Sequence, residues 1–396
     1  MLRSLSFFAC LVFCLAAEAR EPSTAPARVP SFGPNGTHWP ANTPWPESSI
    51  PHVVDVPCTW EAIGEAISKA ADSQINEGLH IRVAPGSLSG NGAASGSQPV
   101  LENIVKAGLA KNILISPRDG WGTVEITEPA SLRNVQGVTF ARINAAYILL
   151  TNCSGTNWAQ SKVQTGFRIQ AARNENVSNC NAYEIVLTEP RISPEDPMGY
   201  AAGENSFIRD CVFEGFYVAP FFRALGSNNH LDTLQMYGRG AYRGLTIRDS
   251  VLWGSLNCAL QIGGAREDDE KAGTPFLTLD HTLLTSQIKA TEVRYPVPEG
   301  GEAPKLNQAI NGAGEPGQLY ARDSLVFGTL YTTQWAEVRN SRTSVSGVPE
   351  RNKAAEGGWD YDSKLESWKA AEFDKIAPVP TDEYLATIWG GKKPAP

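Results

Sequence analysis

The 396-residue sequence is short of basic charge: 34 Lys and Arg stand against 42 Asp and Glu, a formal net charge of -8. Such a chain lacks the basic surface that nucleic acid demands. It has no CxxC pair and only five scattered histidines, so zinc-ligand spacing is missing. After the first 19 residues no apolar run is long enough to span a bilayer. Charged residues make up only 19%, while Gly (36) and Pro (27) are frequent. That balance belongs to a sheet-rich chain with many turns.

The exception to the missing apolar runs is the start. "MLRSLSFFACLVFCLAAEA" has Arg3, an apolar stretch and a small-x-small end at Ala17-Glu18-Ala19. It reads as a secretory signal over residues 1–19, which predicts a secreted or periplasmic protein with no membrane attachment after cleavage. Cys10 and Cys14 leave with it, and Cys58, Cys153, Cys180, Cys211 and Cys258 stay. Five is odd, so a complete disulfide framework is excluded for the expected monomer. Buried, reduced thiols are the expectation.

The pieces "LLTNCSG", "NVSNCNA", "FIRDCVF", "TIRDSVL", "TLDHTLL" and "YARDSLV" share a pattern. Each places Asn or Asp between runs that are largely apolar. The positions are Asn152, Asn179, Asp210, Asp249, Asp280 and Asp323, spaced by 27, 31, 39, 31 and 43 residues. A period of this kind with variable insertions predicts a solenoid. Asn and Asp tolerate the left-handed backbone of a one-residue corner, so these six are expected to stack along one edge. One coil can be written out: "LTIR", corner Asp249, "SVLW", a turn, then "CALQI" ending at Gly263-Gly264.

Three short strands and one tight corner per coil resemble the right-handed parallel β-helix of pectate lyases and related polysaccharide-acting enzymes. The resemblance covers residues 55 to about 345. It includes an amphipathic helix, "TWEAIGEAISKAA", with Trp60, Ile63, Ile67 and Ala70 on one face, suited to cap the first coil. The expected organisation is a signal peptide (1–19), an extended N-terminal arm (20–54), an all-β single-stranded right-handed parallel β-helix with an N-terminal capping helix (55–345), and a C-terminal tail with a short helix (346–396). The active-site signatures of pectate lyases and polygalacturonases are not recognisable, so no specific family is assigned.

Alternation along the strands sorts the side chains. Phe167, Ile169, Leu234, Met236, Leu260 and Ile262 point in; Arg168, Gln170, Gln235, Tyr237 and Gln261 point out. Gln170, Thr188, Gln235 and Gln261 are expected to form an outer polar ladder, beside long insertions that would wall a groove. At its mouth stands "HLD". His230, oriented by Asp232, is the candidate base. Arg168, Gln170, Gln235, Tyr237, Arg239 and Gln261 are the candidate substrate contacts. The implied function is a secreted lyase on an extracellular polysaccharide that contains uronic acid. The alternatives are a glycoside hydrolase on the same fold and a non-catalytic glycan-binding β-helix. No cofactor is expected; the acidic run Glu267–Glu270 would suit calcium if any ion were bound.

Overall fold

The computed structural model describes residues 32–92, 98–266, 275–312, 318–331, 335–346 and 353–390. The segment expected to be a signal peptide, residues 1–19, and the run Glu267–Glu270 lie outside them. No helix among the described residues is long and apolar enough to cross a membrane.

The chain winds as a parallel β-helix. The pairings between its strands are parallel, and strands in the middle of the coil pair with their counterparts one coil earlier and one coil later. One coil runs Val212–Glu214 and Tyr217–Val218 on a first sheet, Asp232–Gly238 on a second, and Ala241–Arg243 on a third. The next coil then begins at Leu245–Arg248. Inward residues stack in register: Phe167, Met198, Leu234, Leu260 and Ile310 form one column, all at most 1% exposed. This column realises the expected alternation, since a period of two sends every second side chain into the lumen.

Helix Trp60–Lys69 covers the first coil. Thr59 caps it by accepting the Ala62 N–H, and Trp60, Ile63 and Ile67 are its buried face. At the other end the coil continues beyond residue 345. Strands Ala354–Gly357 and Asp360–Tyr361 still pair onto Trp335–Arg339 and Arg342–Thr343. The tail holds three helices, Ser363–Glu366, Ala370–Ile376 and Asp382–Ile388, where one was expected.

The Asn/Asp residues do occupy left-handed corners, but not one edge. Asn179 and Asp210 lie between the third and first sheets, where Gly155 and Gly244 continue the column. Asp249 and Asp323 lie at a different corner, inside the first sheet. There the column reads Arg142, Gln160, Glu184, Gly215, Asp249, His281, Asp323 and Asn340, all with positive φ. Asn152 closes a strand of the second sheet. His281, not Asp280, takes its corner. A three-sheet coil has several corners, all wanting the same backbone, so the residue type marks a corner without saying which.

The outer face of the first sheet is covered. Trp39 and Ile50 of the arm pack on Leu114, Ala141, Ala159 and Tyr183. The tail helices set Leu365, Phe373, Leu385 and Trp389 against Val186, Tyr217, Val251, Trp253 and Phe327. Arm and tail meet at Glu184. Its Oε1 accepts the N–H groups of Asn35 (3.0 Å) and Gly36 (2.8 Å) and lies 2.7 Å from His38 Nδ1; its Oε2 accepts the Trp389 indole N–H.

All five described cysteines are free, and Cys153, Cys180, Cys211 and Cys258 are buried. Burial pushes the Cys153 and Cys211 thiols up to about 12. A thiol reagent should therefore find at most Cys58 in the native protein and all five after denaturation. Two or more fast-reacting native thiols among them would contradict the packing.

Candidate functional site

With much of the first sheet covered, the outer face of the second sheet carries a long open groove. Its volume is about 830 Å³. The floor comes from three consecutive coils: Ser131 and Arg133, then Tyr147, Leu149 and Thr151, then Arg168 and Gln170. Tyr237 closes one end, and the segment Arg191–Glu195 forms a wall. That wall is built by a separate strand pair, Arg191–Ile192 against Phe221–Phe222.

Two glycines shape the floor. Gly199 stands between Arg168 and Gln235 in the outward column. A Cβ there would lie 3.1 Å from Gln235 O and 3.5 Å from Arg168 Nε. With no side chain at Gly199, the Arg168 guanidinium crosses that coil and reaches the Tyr237 ring at 5.3 Å. Gly166 makes the same room for Tyr147: a Cβ there would sit 2.7 Å from its ring.

Arg168 is mostly buried, and its Nε has no hydrogen-bond partner. Among the described residues no carboxylate lies within ion-pair distance of it. Arg191 repeats the pattern: its Nε is buried without a partner, and its guanidinium lies 5.8 Å from the Phe221 ring. Arg133, by contrast, is paired with Glu102 at 3.2 Å. Buried charged donors without acceptors are costly, and a bound anion would satisfy them. Tyr147 is 8% exposed, and burial pushes its phenol up to about 12, so it stays protonated at neutral pH.

Of the residues expected from sequence, Arg168, Gln170 and Tyr237 line the groove together. Gln235 and Gln261 do stack in register, but Gln261 is buried and accepts the Asn311 amide at 2.7 Å. Gln170 belongs to the neighbouring column, paired with Thr151 and Ala201. Thr188 follows a strand of the first sheet and leaves the ladder altogether. The coil between those of Gln170 and Gln235 is Met198–Ala202. Arg239 is exposed just past the site strand. Phe216, Tyr217 and Tyr242 are fully buried packing residues. Lys162 bonds Asp382 at 2.8 Å.

His230 and Asp232 lie outside the groove lining. The His230 ring is 59% exposed, with Nδ1 3.3 Å from Asp232 Oδ2. The contact is within ion-pair range but poorly aligned, and Asp232 Oδ2 has no proper hydrogen bond. It raises the His230 pKa against the opposing effect of burial. Asp232 is fully buried; its Oδ1 accepts the Asn257 amide (2.7 Å) and the Cys258 thiol (2.9 Å). Between this pair and the groove sits Asp196, directly after the wall. Its Oδ1 accepts the Asp232 N–H at 2.7 Å. Burial pushes Asp196 up to about 7, and the charge of Asp232 adds to the shift.

Sequence reasoning missed Tyr147, Arg191, Glu195 and Asp196. Tyr147 was within reach of the alternation in "AAYILL", where inward Ile148 and Leu150 set the parity. The wall residues follow no period, so no pattern marks them.

No family model matches this chain, and no curated protein matches it. Several solved structures align over much of it. The catalytic domain of a GH87 α-1,3-glucanase in complex with tetrasaccharides gives a TM-score of 0.30 at 11% identity, covering 74% of this chain and 58% of that one. The alginate lyase from Paenibacillus sp. str. FPU-7 gives 0.26 at 13% identity, covering 73% and 98%. A PL6 family polysaccharide lyase from Pseudopedobacter saltans gives 0.24 at 12% identity, covering 80% and 90%. Likeness this slight assigns no residue a role; the groove itself carries the functional reading.

Proposed function

We propose that the protein is a secreted enzyme that acts on an acidic polysaccharide, and that it cleaves by β-elimination at a uronic acid unit. The observation that carries this reading is Arg168: a mostly buried side chain on the floor of an open groove, with an Nε that has no hydrogen-bond partner. In the proposed step a uronate carboxylate takes the place of the missing acceptor. Its charge is neutralised, which acidifies the proton on C5. A base removes that proton, the C4–O4 bond breaks, and the electron pair forms C4=C5. The departing oxygen takes a proton from a donor, and the protonated phenol of Tyr147 is the donor the groove offers.

His230 is the proposed base, with Asp232 to orient it. For this the reacting unit would sit at the Tyr237 end of the groove, its carboxylate on Arg168 and its C5 toward Asp196 and His230. Glu195 is the second candidate, because it is the sole carboxylate among the described lining residues. The same fact disfavours hydrolysis, which wants two carboxylates roughly 5–10 Å apart across the sugar.

The decisive experiment is a panel of acidic and neutral polysaccharides, followed both by ultraviolet absorbance of unsaturated uronates and by reducing ends. Product with the unsaturated chromophore supports elimination. Reducing ends without it mean hydrolysis, and binding without product means a binding module.

The base assignment carries its own pH signature. A base must be neutral to accept a proton, so activity should fall as pH drops through the raised pKa of His230. Asp232→Asn removes the contact that raises it. The acid limb should then move down toward about 6.5, the ordinary histidine value. His230→Ala should cost roughly 100-fold or more in kcat. If His230→Ala keeps full activity and Glu195→Gln loses it, the base is Glu195.

A further inference from the structure

We infer that the N-terminal arm is pinned to the first sheet by a divalent transition-metal ion, zinc by preference, held by His38, Glu214 and Asp249. The three donors come from the arm and from two successive coils, so no short spacing in the sequence marks them. The site lies on the first sheet, apart from the groove on the second.

The site begins at a gap in the corner column. Glu184, Gly215 and Asp249 occupy the same corner in three successive coils. Gly215 brings no side chain, and a Cβ there would overlap the His38 ring. The imidazole of the arm takes that place and is fully buried. Its Nδ1 lies 2.7 Å from Glu184 Oε1, and its Nε2 lies 3.2 Å from Asp249 Oδ2. Glu214 ends the strand just before Gly215. One ligand atom from each of His38, Glu214 and Asp249 falls within 4.8 Å of the other two.

The spacing and the donor types suit zinc. Two donors on one tetrahedral zinc, each bonded at about 2.0 Å, stand about 3.3 Å apart. The 3.2 Å between Nε2 and Oδ2 matches that separation. Glu214 is 13% exposed, so a rotation of its side chain can close the remaining distance. One imidazole and two carboxylates fit zinc, whereas calcium wants six or more oxygens.

Each donor is also held from its far side, as metal ligands usually are. Glu184 accepts the His38 Nδ1–H, which turns Nε2 toward Asp249. His281 Nδ1 lies 2.8 Å from Asp249 Oδ1, which leaves Oδ2 facing His38. Arg248 bonds Asp280 at 2.7 Å and stays 3.9 Å from Glu214. Three carboxylates, those of Glu184, Glu214 and Asp249, thus converge on one imidazole. With Nδ1–H given to Glu184, a neutral ring would aim its Nε2 lone pair at a carboxylate oxygen. An ion between the two replaces that repulsion with two bonds and offsets the converging negative charge.

The test is the metal content of the intact protein, measured by mass spectrometry after incubation with zinc and dialysis, together with melting in zinc and in chelator. The protein should retain one zinc per chain. Its Tm should stand about 3–5 °C above that of the chelated protein with the ion at 100 to 1,000 times its Kd. Zinc should also slow proteolysis within residues 32–47. Cobalt in place of zinc should give the intense visible absorption of a four-coordinate site.

Glu214→Gln leaves the His38–Glu184 contact intact. It should lose the retained zinc, the cobalt spectrum and the zinc-dependent rise in Tm, while its chelated Tm stays near that of the chelated wild type. His52→Ala removes a surface histidine paired with Glu77 and should change none of these readings. A wild-type protein that retains no zinc and melts alike in zinc and chelator overturns the inference, and a second proton on His38 then does the work of the ion. Full zinc retention by Glu214→Gln overturns it as well, because the ion then sits elsewhere.

Discussion

Arg168→Gln should remove about 100- to 1,000-fold of kcat/KM on any polyuronate the protein degrades, the range seen when one pre-organised electrostatic contact to a transition state is lost. Charge builds on the uronate carboxylate as the C5 proton leaves. The guanidinium is worth most at that moment, so kcat should fall more than KM rises. The loss should be out of proportion to any effect on folding. Arg168 makes no salt bridge among the described residues, and its Nε bonds nothing, so glutamine gives up chiefly the contact with Tyr237. Stability should change little or even increase, because an uncompensated buried charge has gone. Steady-state kinetics with thermal melting on the same samples decides it. A folded Arg168→Gln enzyme with kcat/KM within threefold of wild type would place the reacting sugar elsewhere.

The largest structural effect is expected from Glu184→Ala. This carboxylate is fully buried and takes donors from two places: the backbone and His38 ring of the arm, and the tail indole. Removing it takes the acceptor from the N–H groups of Gly36 and Trp389 and the Nδ1 partner from the His38 ring, whose Nε2 keeps Asp249. Breaking one side of such a cluster costs about 3–5 kcal/mol. For a chain of this size that is a drop of roughly 5 °C in Tm. Local opening should precede global melting, so limited proteolysis should attack residues 32–47 and 380–390 first. A Glu184→Ala protein with wild-type Tm and wild-type protease resistance would show that the packing of Trp39, Phe373 and Leu385 holds arm and tail without the carboxylate.

The fold was legible because its signals are local. A left-handed corner selects Asn or Asp, and lumen packing imposes a period of two; both survive in a single sequence. What they do not encode is how one coil is indexed to the next. Asn179 and Asp249 look alike in sequence, yet they turn different corners. At Arg142, Gln160 and Glu184 the corner backbone is the same but the residue is not Asn or Asp. There side-chain partners compensate: Arg142 bonds Gln160 at 2.9 Å, and Glu184 takes the arm and tail. No residue-type rule finds such positions. The groove divides the same way. Arg168, Gln170 and Tyr237 follow from strand parity. Arg191 and Glu195 belong to a wall whose place depends on an accessory strand pair and on the bond from Asp232 to Asp196. Such long-range contacts leave no periodic trace.

The meeting of both chain ends on Glu184 also bears on the order of folding. A solenoid grows by stacking each coil on the one before, so most contacts can form as the chain emerges. The arm is different. Gly36 must wait for Glu184, 148 residues later, and Glu184 must wait for Trp389, 205 residues later still. Closing contacts of that span is slow relative to coil stacking. The coils can therefore be wound before arm and tail lock. Until residue 389 arrives, the first sheet carries a bare apolar strip of Val186, Tyr217, Val251 and Trp253. That interval is when a folding chaperone would have something to hold, and when the newborn chain is most exposed to aggregation.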